Sequence, residues 1–384
     1  MKAFDHKALL GPALVSAALF GLLVLALALA HGGHVSALMM LPQEGHCYQT
    51  LGAPQGIAVF PQVGYDGHLF YYIARDLGMA EGCAGAYRYQ RILYPVLVWL
   101  LSLGSEGLMP LMMSLINVLS IGLGTWLMAR WLAELGRSPW LALVYGLSMG
   151  HVIIVQYALA GALASTLALA GAYLAVQRQR LVWAAIFFSL ALLTRETVVL
   201  LWAPLILWSA WQRKWPAAMW LSLALVPYLA WEAVLWARFG QSPLFGTNAE
   251  AVTFNLEGLR WLFSHLDFSS GWAEALRQAS SLPYLAFVLI CLAAGGLGLI
   301  RGHGLWAWVV LFQAAVCLVL GRGMWAYVTS IGRISVTLVP ACLFLSLIAG
   351  KWTRRLLIGS LAGLFLLALA RVYLAGVHRF FIQT

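Results

Sequence analysis

Three short stretches carry side chains whose types and spacing suit chemistry in an otherwise greasy chain. The first is Gly64-Tyr65-Asp66-Gly67-His68, followed by Phe70-Tyr71-Tyr72. An ionised carboxylate within reach of a hydroxyl can take its proton, and flanking glycines let the backbone turn tightly to present it. The same aspartate is equally suited to cap a helix beginning near His68. The second stretch is Tyr87-Arg88-Tyr89-Gln90-Arg91-Ile92-Leu93-Tyr94-Pro95, and the third is Thr194-Arg195-Glu196-Thr197. Planar guanidinium forks bind phosphate or carboxylate oxygens in pairs, and Arg333 adds a fourth candidate cation. Arg195 and Glu196 interrupt an apolar stretch. A charge at membrane depth costs about 2.5–3.5 kcal/mol on insertion scales, so such residues serve a site or pair internally, Arg195 with Glu196 or another acid. Arg88 and Arg91 have a plainer alternative as snorkelling anchors of a juxtamembrane helix. His68 and Asp66 are two potential metal ligands, which is not a site, and Asp76, Glu81 and His46 show no diagnostic spacing.

The elements that must position these groups are membrane helices. Of 384 residues 62% are apolar and 9% are charged, against roughly 25% charged in a soluble domain, so no water-facing surface can be built. Apolar runs such as Ala8 to Ala30, Pro283 to Ile300 and Leu356 to Ala370 are long enough for a hydrocarbon core of about 30 Å. The formal charge of +10 sits in small groups between apolar runs, which encodes topology and anionic-lipid contact rather than nucleic-acid binding. Five compact basic loops, 130–137, 177–180, 212–214, 301–303 and 351–355, belong in the cytoplasm by the positive-inside rule. Trp126, Trp131, Trp140, Trp208, Trp211, Trp215 and Trp352 cluster around them as an interfacial belt. The first apolar run exceeds a signal-peptide core and is read as an uncleaved span with its N-terminus inside.

The expectation is one all-α polytopic membrane domain, 1–384, with about eleven transmembrane helices. The first span is 8–30, residues 31–108 form an outer loop with juxtamembrane helices, and 109–236 hold spans two to seven. A second outer segment covers 237–282, and 283–384 hold spans eight to eleven, which leaves the C-terminus outside. Several spans are shorter than the usual ~20 residues, which suggests half-width helices bordering an outer cavity. Cys47 and Cys83 both fall in the first outer segment, where an oxidising compartment permits one disulfide closing the loop around Asp66; two free thiols are the alternative. Cys291, Cys317 and Cys342 lie within spans as small apolar residues.

The Tyr65-Asp66-Gly67, Arg88-Tyr89-Gln90-Arg91 and Thr194-Arg195-Glu196-Thr197 motifs together resemble a bacterial branch of the GT-C superfamily of integral-membrane glycosyltransferases. The resemblance covers roughly residues 8 to 212. It implies an inverting transfer of a sugar from a polyprenyl-phosphate donor to a glycan, lipid or protein acceptor on the periplasmic side of a bacterial inner membrane. Asp66 then stands where the family places its general base, and Tyr65, His68, Arg88, Gln90, Arg91, Arg195, Glu196 and Arg333 become substrate-binding candidates. No cofactor is required, although some members use a divalent cation. One departure matters: relatives carry an acid at the outer end of the hairpin where this chain has Gln156-Tyr157-Ala158-Leu159-Ala160-Gly161-Ala162. That leaves room for a non-catalytic subunit of a membrane assembly. A transporter is the third class, but paired broken helices with ionisable groups at mid-membrane are not evident.

Overall fold

The computed structural model describes residues 6–61, 64–243, 256–264 and 279–378. It is helical almost throughout. The one strand pairing among the described residues is a two-residue parallel match of Leu41–Pro42 with Val59–Phe60 in the first outer segment, which the all-α expectation did not contain.

Among the described residues five helices are long and apolar enough to cross a membrane: Ala8–Ala30, Met109–Glu134, Trp215–Phe239, Leu282–Ile300 and Lys351–Tyr373. Two bent pairs, Pro139–Gly146 with Met149–Gln156 (49°) and Val328–Ile334 with Leu338–Ile348 (62°), raise the number to seven if each pair is one span. The remaining apolar helices are short: Gly161–Val176, Leu181–Thr194, Glu196–Trp211 and Gly304–Leu318. A 14-residue helix such as Leu181–Thr194 rises only about 21 Å at 1.5 Å per residue, less than a hydrocarbon core of about 30 Å. Hydropathy marks such a segment as apolar but does not make it a full crossing. Much of the second outer segment expected over 237–282 lies outside the described residues.

The five basic loops meet at one end of the bundle. Glu134 accepts from Arg178 and, at 3.3 Å, from Arg130, joining the first loop to the second. Arg137 reaches the Leu347 carbonyl at 3.4 Å, beside the last loop. Trp131 packs on Trp306, with ring centroids 5.6 Å apart, which brings in the fourth. A Cβ on Gly304 would lie 3.7 Å from the Trp208 ring, linking the fourth loop to the third. The aromatic belt needs one correction. Trp211, Trp215 and Trp352 are exposed as an interfacial residue should be, but Trp131 is only 1% exposed and packs between Phe344, Trp306 and Tyr173. It is a core residue that happens to neighbour a basic loop.

The first outer segment folds as short helices, Gly67–Arg75, Gly85–Tyr89 and Leu93–Leu101. Tyr94 anchors the last of them: its hydroxyl donates to the Met113 carbonyl at 3.1 Å and accepts from Asn117 at 3.2 Å. Trp99, Leu100, Leu101 and Leu103 remain exposed on that helix and the turn after it. That is the surface a juxtamembrane element presents to lipid. Cys47 and Cys83 are joined, with Cα atoms 5.1 Å apart, so the segment carrying Asp66 is a closed loop.

Candidate functional site

Asp66 occupies the N-cap position of the Gly67–Arg75 helix, yet its side chain makes no capping bond and its backbone is already helical (φ −48°, ψ −21°). The carboxylate is used elsewhere. Oδ1 accepts from Arg88 Nη2 at 3.0 Å, and Oδ2 accepts from Arg333 Nη1 at 2.5 Å. Burial alone would raise its pKa, but Arg333, then Arg88 and Arg91, outweigh burial and hold the carboxyl well below the usual range. The flanking glycines serve close packing rather than a special turn. A Cβ on Gly67 would lie 2.2 Å from the Tyr157 carbonyl oxygen, and one on Gly64 2.5 Å from Pro42. His68 donates from Nδ1 to the Tyr65 carbonyl at 2.5 Å. Burial pushes its pKa down to about 4, so it is neutral at neutral pH and adds no charge to the site.

Arg333 reaches Asp66 from the far end of the chain because two glycines let helices touch. A Cβ on Gly150 would meet the Gly332 carbonyl at 2.7 Å, and one on Gly332 would meet Ile153 at 2.8 Å. The Val328–Ile334 helix is thereby pressed onto Met149–Gln156 with Arg333 at its end. The guanidinium lies over the Tyr65 ring, 5.2 Å from its centroid, and Tyr65 stacks on Tyr157 at 4.1 Å.

The Thr194-Arg195-Glu196-Thr197 run breaks the helix between Leu181–Thr194 and Val199–Trp211. Arg195 and Glu196 do not pair with each other. Glu196 takes a two-pronged contact from Arg91, Nε to Oε2 at 2.8 Å and Nη2 to Oε1 at 2.5 Å, and Arg91 Nη2 also donates to the Tyr87 hydroxyl at 3.0 Å. Arg91 is thus a buried ion-pair residue, 6% exposed in its side chain, rather than a snorkelling anchor. Arg195 is buried with no carboxylate bound. Its Nη1 donates to the Arg333 carbonyl at 3.2 Å, and its Nε has no hydrogen-bond partner. Residue 161 beside it is glycine, where a Cβ would come within 2.8 Å of Arg195 Nη1.

Arg91, Arg195 and Arg333 line one small cleft with Phe70, Leu159 and Ala160. Its volume is about 10 Å³, room for about one water. The cleft lies at the end of the bundle opposite the basic loops, since Leu181–Thr194 runs from the 177–180 loop to Arg195.

Gln90 is buried beside this cluster, accepting from the Tyr228 hydroxyl at 2.9 Å. One turn after Tyr228 stands Glu232, buried, with neither carboxylate oxygen hydrogen-bonded. Sequence reasoning passed over Glu232, although an acid in an apolar helix carries the same signal as Arg195. Arg371 was missed in the same way: near the end of the last apolar helix it donates to Gln156 Oε1 at 3.3 Å and to the Tyr157 hydroxyl at 3.1 Å. The hairpin without an acid is therefore met by a cation. Asp76 holds a turn, accepting from the Ala80 and Gly82 amides at 2.7 and 2.8 Å and from the Tyr89 hydroxyl at 2.8 Å. Among the described residues no group of three or more His, Cys, Asp or Glu could hold a metal ion.

The apolar helices are those of a membrane-embedded protein, and the site is a buried ionic cluster at one end of its bundle. No family model, curated protein or solved structure matches the chain.

Proposed function

We propose that this chain is an inverting GT-C-type glycosyltransferase that moves a sugar from a polyprenyl-phosphate donor to an acceptor hydroxyl at the Asp66 end of the bundle. In this reading that end faces the periplasm of a bacterial inner membrane, with the N-terminus inside and the C-terminus outside. An eleven-span topology belongs to it, each bent pair and each short helix counting as one crossing.

The observation that carries the reading is an imbalance of buried charge. Arg88, Arg91, Arg195 and Arg333 converge on one place. Among the described residues four cations, of which Arg88 is the most exposed, face Asp66, Glu196 and, counted as an anion, Glu232. A buried guanidinium without a counter-ion is costly, and a lipid-linked phosphate supplies the missing anion in the form that guanidinium binds best. Arg195 and Arg333 each keep a buried Nε with no hydrogen-bond partner, and of the two only Arg195 is bound to no carboxylate.

In the reaction Asp66 takes the proton of the acceptor hydroxyl, whose oxygen attacks the anomeric carbon from the face opposite the leaving polyprenyl phosphate. The arginines stabilise the charge that develops on that phosphate. A carboxylate held by two guanidiniums is a weak base, and a cleft of about 10 Å³ is far below the ~300–1,000 Å³ of ligand sites. Donor binding must therefore draw Arg333 and Arg88 toward the phosphate, which opens the cleft and restores the basicity of Asp66 in one movement. The same closed clasp favours a second reading, a non-catalytic subunit in which the cluster only locks the first outer segment to the bundle.

Transfer of radiolabelled sugar from a polyprenyl-phosphate donor in reconstituted vesicles, measured with donor binding, separates them. Asp66→Asn should lower transfer by about 10²–10⁴-fold with donor binding nearly kept, and Arg195→Ala should weaken donor binding. A parent protein that neither binds nor turns over any such donor, yet co-purifies with a fixed partner, establishes the second reading instead.

A further inference from the structure

At the end of the bundle away from Asp66, an apolar groove of about 630 Å³ is lined by Leu207, Trp208, Trp211, Trp215, Leu299 and Trp308. Trp211 is 81% exposed and Trp215 64% exposed. Two basic loops adjoin the residues that line it. Arg213 and Lys214 stand between Trp211 and Trp215, and Arg301 follows Leu299 by two residues. Gly304, just beyond Arg301, lies against Trp208, so the two loops are neighbours beside the groove. Neither loop contains an acid. All three cations are exposed, and among the described residues none of them pairs with a carboxylate.

An apolar wall ending in unpaired cations, with indoles at the boundary, matches one kind of molecule: an acyl chain that carries a net negative headgroup. A zwitterionic lipid offers the same chain, but its own ammonium offsets its phosphate. We infer that this groove binds an anionic glycerophospholipid, with its phosphate at Arg213, Lys214 and Arg301 and an acyl chain along Leu207, Trp208 and Leu299. The inference depends on the protein being membrane-embedded and not on the transferase reading.

The test is native mass spectrometry of the full chain in mild detergent, titrated with phosphatidylglycerol and with phosphatidylcholine of matched chains. The parent should retain phosphatidylglycerol at least about tenfold more tightly, and Arg213→Gln, Lys214→Gln and Arg301→Gln should each weaken it roughly fivefold. Arg355→Gln, a basic-loop residue outside the groove, should leave it unchanged. Ala210 also lines the groove, so Ala210→Trp fills it while keeping every cation, and it should remove the preference. If that variant fails to fold, as thermal unfolding will show, the exposed Arg301→Gln carries the test. Equal affinity for the two lipids overturns the proposal. So does phosphatidylglycerol binding that survives a filled groove, which reports diffuse surface charge only. Displacement of phosphatidylglycerol by polyprenyl phosphate at lower concentration than by more phosphatidylglycerol also overturns it, since the groove would then hold the isoprenoid.

Discussion

Asp66→Asn leaves Arg88 and Arg333 facing one another without the anion that holds them. The side chains of Arg333 and Asp66 are 12% and 14% exposed and in contact at 2.5 Å, whereas Arg88 is 26% exposed at 3.0 Å. Two unit charges 4 Å apart at an effective dielectric of 20 interact by about 4 kcal/mol, and removing one partner of a buried pair costs about 3–5 kcal/mol. The more exposed Arg88 contact adds little to this. Asp66→Asn should therefore destabilise the fold by about 3–5 kcal/mol. Arg333→Gln should cost less, because Asp66 keeps Arg88. The double variant restores neutrality between the two positions, so it should be more stable than the sum of the single changes requires, by a coupling energy of about 1–3 kcal/mol.

Unfolding followed by tryptophan fluorescence in one detergent and lipid composition reads the stability cycle, and sugar transfer in vesicles reads the chemistry on the same four proteins. General-base loss lowers turnover by about 10²–10⁴-fold, and the double variant should recover stability without recovering transfer. Single changes that add to within about 0.5 kcal/mol would refute the ion pair. Recovery of transfer in Asp66→Asn/Arg333→Gln would refute the general base, because a structural aspartate is replaceable by removing the charge it neutralises.

Three further outcomes are expected. Cys47 and Cys83 should resist alkylation until reduced, and Cys47→Ser should free Cys83 while lowering stability by about 2–4 kcal/mol; equal labelling with and without reductant removes the bridge. The folded-state pKa of His68, about 4, lies below the unfolded value of about 6.5. Its contribution to stability is thus complete above pH ~6.5 and lost as pH falls toward 4, by at most about 3 kcal/mol. His68→Gln should flatten the stability profile over that window, and an unchanged slope assigns the effect to another group. In a background lacking native thiols, a cysteine at Gln55 should react with an impermeant reagent from the periplasm and one at Gln179 should not, since the first outer segment and the basic loops lie at opposite ends. The reverse pattern overturns the orientation and with it the proposed side of reaction.

What was readable in the sequence and what was not divide along a physical line. Single-residue costs are legible: Arg195 and Glu196 stand out because a charge in an apolar run needs a reason, and the same reasoning applied evenly would have raised Glu232 and Arg371 as well. Pairings are not legible, because they depend on where helices cross. Arg195 and Glu196 are adjacent in sequence yet turn away from each other, because the chain breaks between Leu181–Thr194 and Val199–Trp211. Glu196 thereby falls to Arg91, 105 residues earlier. Asp66 could be read as a cap or a base, and the structure shows a third use, as the anion between Arg88 and Arg333, 267 residues apart from the latter. The crossing that delivers Arg333 is set by Gly150 and Gly332, residues with no chemistry of their own, whose only contribution is the absence of a Cβ. The number of spans is not legible for a related reason. Hydropathy records that Leu181–Thr194 is apolar, but whether so short a helix crosses, stops at a break or shares a span with Glu196–Trp211 is decided by the charged turn between them, and that turn is held by Arg91 from another segment. The ionic cluster is thus part of what shapes the bundle as well as its candidate site. A substitution there that alters activity must be tested for folding before it is read as chemistry.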